Sequence, residues 1–76
     1  METKSFVSNF ASQFDETDAD AFKLSTKFRE LDEWSSLTVL SIIGMIDEEY
    51  SVQIKGDELK KCETIKDLFE IVKSKL

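Results

Sequence analysis

The stretch from Ser36 to Tyr50 constrains the fold of this 76-residue chain more than any other part of its sequence. Its apolar residues recur at a spacing of three, and others fill the flank of the same stretch. They are Leu37, Val39, Leu40, Ile42, Ile43, Met45 and Ile46. The pattern predicts a helix over residues 36–50 that is apolar on more than one face. Such a helix is either central in a bundle or offers a second apolar face to a partner.

Two segments precede this stretch. Phe6, Phe10 and Phe14 recur every four residues and predict a helix over residues 3–14. Residues 15–35 contain apolar side chains that sustain no period. We therefore expect a long connection there, held to the core by those side chains, with room for one short helical turn. Connections of this length are uncommon in compact domains and are often functional.

Shorter segments follow the central stretch. Residues 51–56 are predicted as a short connection and residues 57–62 as one short helix. Thr64 is predicted as the N-cap of a last helix, with Asp67 at the capping-box position. The buried face of that helix is predicted to be Ile65, Leu68, Phe69 and Val72. The sequence thus predicts one all-α domain over residues 1–76, a small bundle of three main helices plus one short helix with a long first loop.

The charge of the chain limits its partners and its chemistry. It carries 16 acidic and 10 basic residues and no histidine, for a formal net charge of −6. An acidic surface repels nucleic acid and anionic membranes, so both are disfavoured, and a basic protein partner is favoured. Without histidine the chain cannot form a Ser-His or Cys-His nucleophile pair. The absence of these pairs disfavours an independent enzyme, and we predict no catalytic residues.

The sequence also disfavours a metal site and a reactive cysteine. The acidic run from Asp15 to Asp20 lacks the glycine and the glutamate that a calcium loop requires at its sixth and twelfth positions, so no metal site is predicted. The single cysteine, Cys62, is expected to be a small buried side chain, with a reactive thiol as the alternative. The sequence has no long apolar run typical of a signal peptide or a membrane span. We expect a cytoplasmic, monomeric domain.

Ser35 and Ser36 stand where a polar loop meets the apolar helix. In one interpretation, Ser35 caps the helix and Ser36 only fills its first turn. In the other, Ser36 points outward beside free backbone N–H groups, where the helix dipole would stabilise a phosphodiester attached to its hydroxyl. Trp34, just upstream, is either packed in the loop or partly exposed where a partner would touch it. Composition and spacing leave these alternatives open.

Residues 28–37 (FRELDEWSSL), together with the apolar helix that continues to Tyr50, resemble the acyl carrier proteins. That family has a long loop ending in an Asp-Ser-Leu motif, a second helix and a short third helix. A Thr-(Ile/Val)-x-Asp-Leu segment then opens its fourth helix, and residues 64–68 (TIKDL) are similar to it. The resemblance runs without a gap from Phe28 to Val72, so it implies the four-helix fold of that family.

The resemblance also implies a function. Ser36 matches the serine that receives 4′-phosphopantetheine from a phosphopantetheinyl transferase, and the thiol of that arm carries acyl groups as thioesters. Leu37 and Leu40 match exposed apolar positions that dock on partner enzymes. Asp47 and Glu48 match the acidic end of the recognition helix, which pairs with basic patches on transferases and synthases. Matched core positions, some lining an acyl-chain cleft, are Ile42, Ile46, Tyr50, Ile54, Cys62 and Leu68.

Two departures from the family pattern accompany the match. Ser35 replaces the aspartate that precedes the modified serine, and Thr38 and Ser41 stand where acids are frequent. A less acidic helix start favours the partners of a specialised pathway. The resemblance predicts a carrier of acyl groups for fatty-acid or secondary-metabolite biosynthesis that is not itself an enzyme. The alternatives are a peptidyl or aminoacyl carrier and a helical protein-interaction module with no prosthetic group.

Overall fold

The computed structural model describes residues 2–76, and Met1 lies outside the described residues. Four α-helices follow one another: α1 is Thr3–Ala11, α2 is Ser36–Tyr50, α3 is Gly56–Lys60 and α4 is Ile65–Lys75. Within residues 2–76 there is no β-strand, only an isolated bridge between Lys27 and Thr64. The prediction of an all-α bundle with three main helices and one short one is confirmed. None of the helices in this described part is long and apolar enough to cross a membrane.

Helix α1 ends at Ala11, so the prediction that it continues to residue 14 is wrong. The hydroxyl of Ser12 and the side-chain amide of Gln13 both donate to the Asn9 carbonyl, at 2.7 and 3.2 Å. Side chains that take a backbone acceptor in this way compete with the helical ladder. The backbone N–H groups of Gln13 and Phe14 donate to carbonyls only three residues back. Phe14 is nevertheless buried in the core, as its spacing suggested.

Helix α2 has the predicted bounds. It begins because the Ser35 hydroxyl oxygen accepts the Thr38 N–H at 3.3 Å, which satisfies one of the free donors of the first turn. Its last residue is Tyr50, and Ser51 caps it in a left-handed conformation with φ of 55° and donates its N–H to the Asp47 carbonyl. Glycine is the usual residue in such a cap, so a serine at this position is no sequence signal for the end of a helix.

Helix α3 is Gly56–Lys60, one residue earlier at its start and two residues shorter at its end than the predicted 57–62. Glu58 explains the early start, because its carboxylate accepts the backbone N–H of Lys55 at 3.1 Å and so closes the first turn. The same carboxylate forms a 3.0 Å ion pair with Lys75 of α4. Cys62 therefore lies just after the helix and not within it.

Helix α4 begins at the predicted cap. The Thr64 hydroxyl oxygen accepts the Asp67 N–H, and the Asp67 carboxylate accepts the N–H groups of Thr64 and Glu63. The next two N–H groups, those of Ile65 and Lys66, donate to carbonyl oxygens of the long loop at 3.2 and 2.9 Å. The loop is therefore fastened to the start of α4 by backbone hydrogen bonds that no local pattern encodes.

The long loop between α1 and α2 contains two short 3-10 turns, Ala19–Ala21 and Phe28–Glu30, where the sequence suggested room for one. Phe22 and Phe28 anchor it in the core. The Arg29 guanidinium donates to the carbonyls of Lys60 and Cys62, which joins the loop to the end of α3.

An aromatic cluster fills the side of the core that faces this loop. The Phe10 ring lies 5.5–6.0 Å from the rings of Phe14, Phe22 and Phe28. Fully or nearly fully buried side chains from α2, α3 and α4 complete the core, and they are Ile42, Ile46, Leu59, Ile65, Leu68 and Val72. The predicted buried face of α4 is confirmed. Only one side of α2 is buried in this core, and its opposite side is exposed to solvent.

Candidate functional site

Ser36 is the first residue of α2, and its side chain is exposed. Ser35 occupies the cap, so the hydroxyl of Ser36 is not needed to begin the helix. Among the hydrogen bonds of residues 2–76, none involves the Ser36 hydroxyl. The two interpretations of this serine pair are therefore compatible, since Ser35 caps the helix while Ser36 presents an uncommitted hydroxyl to solvent.

The backbone around Ser36 favours an anion. In the described chain, the N–H groups of Ser36 and Leu37 have no acceptor, whereas those of Thr38 and Val39 bond to Ser35. The first turn of α2 contains no acidic residue. Free donors at the positive end of a helix dipole stabilise a bound negative charge. A phosphodiester on the Ser36 hydroxyl would thus meet two donors and no carboxylate from the same turn, and the residues present fit such a group.

One face of α2 continues from this serine along the surface. Leu37 is 74% exposed and Leu40 is 66% exposed, and these neighbours on one helix are two of the three large apolar side chains that are exposed in the described residues. Asp47 and Glu48 are exposed two turns further on. Spacings of three and four residues put these side chains on the same side of the helix. The structure therefore brings the four predicted docking residues together on one exposed strip, with Gly44 between the apolar and acidic ends.

Trp34 lies just upstream of the capping serine and is half-buried. Its ring centroid is 4.8 Å from that of Phe28 and 6.4 Å from that of Phe14. Trp34 also lines a small, mostly apolar cleft of about 180 Å³, together with Val39 of α2, Leu59 of α3 and the cations Arg29 and Lys60. Trp34 is therefore both a packed residue and part of an open surface near Ser36.

The core positions that the resemblance matched do not line this cleft. Five of them, Ile42, Ile46, Ile54, Cys62 and Leu68, are buried in the core, and Tyr50 is half-buried. The hydroxyl of Tyr50 accepts a hydrogen bond from the Asn9 side chain at 3.0 Å, which ties α1 to the end of α2. These six residues therefore hold the bundle together, and the cleft beside α2 is formed by other side chains.

Cys62 is buried, as expected for a small apolar side chain. Burial, reinforced by the Asp67 carboxylate, raises the pKa of its thiol above the ordinary value. Reactive cysteines have a lowered pKa and some exposure, and Cys62 has neither. The alternative of a reactive thiol is therefore not favoured by its surroundings.

Glu33 is a functional candidate that the sequence interpretation missed. Its carboxylate accepts the backbone N–H groups of Asp15 and Glu16 at 3.1 and 2.8 Å and the Thr17 hydroxyl at 2.6 Å. The Thr17 hydroxyl and these N–H groups hold the pKa of the Glu33 carboxyl below its ordinary value. The backbone at the start of the acidic run, at Asp15 and Glu16, thus donates hydrogen bonds to Glu33.

No group of histidine, cysteine and carboxylate side chains in the described residues is arranged to hold a metal ion.

A second groove lies away from this end of α2. It has a volume of about 630 Å³ and runs between α1 and the long loop, with Val7, Phe14, Phe22 and Leu24 among its lining side chains. Ser36 and the exposed strip of α2 do not contribute to it. The groove is therefore separate from the candidate site.

Comparison with known protein families gives a match over most of the chain. The family described as "phosphopantetheine attachment site" matches residues 6–72, which include Ser36, the exposed strip of α2 and the capped start of α4. No curated protein and no solved structure matches the chain.

Proposed function

This chain belongs to the phosphopantetheine-attachment family, whose members carry 4′-phosphopantetheine covalently, and from that premise we propose that Ser36 is its attachment residue. Domains of this family are carriers that do not themselves catalyse reactions. We further propose that the chain bears acyl groups as thioesters on the arm and presents them to biosynthetic enzymes. The observation that carries the proposal is the exposed, uncommitted hydroxyl of Ser36 at the start of α2, inside the matched region.

The geometry around Ser36 supports attachment by a separate transferase. In that reaction the Ser36 oxygen forms a bond to the phosphorus next to the pantetheine half of coenzyme A. The bond from that phosphorus to the nucleotide half breaks, and the hydroxyl proton passes to a base of the transferase. The chain itself supplies the nucleophilic oxygen and, in the same helical turn, two N–H groups without an acceptor in the described residues, which would stabilise the negative charge of the new phosphodiester. The arm, once attached, supplies the exposed thiol that the buried Cys62 cannot offer.

The strip on α2 is the proposed docking surface for the transferase and for the acyl-transferring enzymes. Leu37 and Leu40 would fill apolar pockets on the partner next to the reacting serine. Asp47 and Glu48 would pair with basic residues on the partner, which matches the net charge of −6. Because the strip begins one residue after Ser36, a partner held there has the hydroxyl within reach. We propose that the protein acts as a cytoplasmic monomer, in keeping with its single buried thiol.

The cleft beside Trp34 bears on the cargo. Its exposed surface is mostly apolar and its two charged lining residues, Arg29 and Lys60, are cations, so it offers an acyl chain an apolar surface and offers the ammonium group of an aminoacyl cargo no anionic partner. This favours acyl cargo over aminoacyl or peptidyl cargo. The neutral residues Ser35, Thr38 and Ser41 near the serine favour partners from a specialised fatty-acid or secondary-metabolite pathway.

Intact mass spectrometry tests the proposal. Wild-type protein, Ser36→Ala and the matched control Ser35→Ala are incubated with coenzyme A and a phosphopantetheinyl transferase of broad specificity. We expect wild type and Ser35→Ala to gain the mass of one arm and Ser36→Ala to gain nothing. An arm on Ser36→Ala would contradict the assignment of the site. No gain by wild type with several transferases would favour an interaction module without a prosthetic group.

A further inference from the structure

We propose that Glu33 is a positioning residue for the modification of Ser36, a proposal that rests on the proposed function. The Glu33 carboxylate fastens the beginning of the long loop to the segment that precedes the attachment serine. It thereby holds Ser36 in the conformation that a transferase recognises. Glu33 does not touch the reacting atoms. It acts indirectly, through its hydrogen bonds to the beginning of the loop and to Thr38.

We call the contacts that Glu33 makes in both directions the Glu33 strap. Its first half is the contact with the beginning of the loop. Three donors from residues 15–17 converge on the two carboxylate oxygens of Glu33, across 16 to 18 positions of sequence. Two are backbone N–H groups and the third is the Thr17 hydroxyl. A carboxylate with several donors is held in one place and orientation, because each hydrogen bond is strengthened by the charge. The side chain of Glu33 is consequently fixed relative to residues 15–17 at the beginning of the loop.

The second half of the strap reaches the helix that carries Ser36. The backbone carbonyl of Glu33 accepts the hydroxyl of Thr38 at 2.8 Å. The Thr38 hydroxyl also lies 3.2 Å from the Ser35 hydroxyl, whose oxygen accepts the Thr38 N–H. Ser36 is thus bracketed by residue 33 on one side and residue 38 on the other, which are hydrogen-bonded to each other.

Trp34 reinforces the same arrangement by packing. Its ring contacts that of Phe14, which immediately precedes the segment that Glu33 holds. Residues 14–17 are therefore held in two ways, by hydrogen bonds to Glu33 and by the contact between the rings of Phe14 and Trp34. The remainder of the loop is anchored independently, through Phe22, Phe28 and the hydrogen bonds to α4. Loss of the Glu33 carboxylate is expected to loosen the segment around Ser36 without releasing the whole loop.

Positioning matters here because the side chain of Ser36 has no hydrogen bond of its own within the described chain. The backbone of residues 33–38 therefore sets the position of its Cβ, and with it the space that the hydroxyl oxygen can reach by side-chain rotation. If loosening reduces the fraction of molecules with a competent Ser36 to about a tenth, the apparent affinity for the transferase falls by about tenfold. The chemical step on a correctly bound serine is unchanged. The expected signature is a raised KM with an unchanged kcat.

The experiment measures transfer of phosphopantetheine from coenzyme A to the full chain as a function of carrier concentration. The variants are Glu33→Ala, Thr17→Val and their combination. We expect Glu33→Ala to raise KM by about tenfold and Thr17→Val to raise it by about threefold, each with little change in kcat. Because both substitutions break the same hydrogen bond, the double variant should resemble Glu33→Ala and fall short of the product of the two effects.

Asp67→Ala is the matched control for a loss of stability. Its carboxylate also accepts two backbone N–H groups in an exposed turn, but at the start of α4. Circular dichroism confirms that each variant is folded at the assay temperature. We expect Asp67→Ala to keep the KM of wild type. An equal rise in KM for Asp67→Ala and Glu33→Ala would overturn the positioning role and leave only a structural one.

The two proposals fail in different ways. If wild type receives an arm and both Glu33→Ala and Thr17→Val match its KM, the role of Glu33 is wrong while the carrier function stands. If wild type receives no arm, the carrier function is wrong, and the role of Glu33 falls with it.

Discussion

Glu33 and Thr17, 16 positions apart in the sequence, are joined by a 2.6 Å hydrogen bond between the Thr17 hydroxyl and the Glu33 carboxylate. This contact ties the beginning of the long loop to the end of the same loop, just before the helix that begins with Ser36. A loop closed in this way holds the segment next to Ser36, the proposed attachment residue, in one conformation. The exposed side chains of Leu37 and Leu40 follow Ser36 along the same helix.

The exposed strip of α2 predicts that binding and stability can be separated. Leu40 is 66% exposed, so Leu40→Ala should change the free energy of unfolding by no more than about 0.5 kcal/mol. If it fills a pocket on the transferase, its loss should raise the KM for the carrier by about fivefold or more, equivalent to about 1 kcal/mol. Urea denaturation and transferase kinetics measure the two effects.

Ile46 of the same helix provides the control. It is fully buried, so Ile46→Val should lower the free energy of unfolding by about 0.5–1.5 kcal/mol and leave the KM of the folded protein unchanged. A Leu40→Ala variant that is modified as efficiently as wild type would remove Leu40 from the docking surface.

Gly44 predicts a gain in stability. It lies in the interior of α2, is exposed, and has no atom within 4 Å of the position that a Cβ would take. Glycine in a helix interior costs about 1 kcal/mol relative to alanine, so Gly44→Ala should raise the free energy of unfolding by about that amount. Gly56→Ala, at the first position of α3, should give a smaller gain. Thermal and urea denaturation measure both, and a loss of stability in Gly44→Ala would contradict the described packing.

The fold was predicted where its causes are local. The apolar spacing of α2 and the Thr64 cap of α4 depend on residues within one or two turns, so the sequence shows them directly. The end of α1 was predicted three residues too late, because the phenylalanine spacing continues while Ser12 and Gln13 take the Asn9 carbonyl. Buried Phe14 satisfies the periodic pattern from outside the helix.

The site was predicted less completely than the fold. Ser36 and the α2 strip could be proposed from a short motif and its resemblance to a family. The Glu33 strap could not, since its donors come from residues 16 to 18 positions away and two of them are backbone groups without a sequence signature. The cleft beside Trp34 was also missed, because it is formed by three elements whose packing no single segment specifies.

Asp67 predicts a specific dependence of stability on pH. Backbone hydrogen bonds from Glu63 and Thr64 hold the pKa of its carboxyl below the ordinary value of 3.8. A lowered pKa in the folded state means that the carboxylate contributes stability above the unfolded pKa and loses that contribution as pH falls through the folded value. Asp67→Asn should therefore be less stable than wild type by about 0.5–1 kcal/mol at neutral pH, at the low end for capping residues because the site is exposed.

The difference between wild type and Asp67→Asn should shrink as pH falls below about 4. Urea denaturation at several pH values measures it. Glu33 and Glu58 also have lowered pKa values, so both proteins lose stability in acid, and only the difference isolates Asp67. A difference that stays constant down to low pH would show that the Asp67 charge does not contribute.

Trp34 predicts an optical signal for the cargo. It is the only tryptophan of the chain and lines the apolar cleft beside α2. A short acyl chain on the arm that enters this cleft should make the surroundings of the indole less polar. The fluorescence emission of Trp34 should then shift to shorter wavelength. Loading with an aminoacyl group should leave the emission of the holo-protein unchanged, because burying an ammonium group in the cleft is costly. Equal spectra for holo- and acyl-protein would argue against the cleft as the acyl site.

The central claim is that this chain is a carrier whose arm is attached at Ser36. The most direct measurement is peptide mapping by mass spectrometry of wild-type protein after treatment with coenzyme A and a transferase. We expect one phosphopantetheine per chain, on the fragment ion that contains Ser36 and excludes Ser35. An arm mapped to Ser35, Thr38 or Ser41, or a chain that no transferase modifies, would contradict the claim.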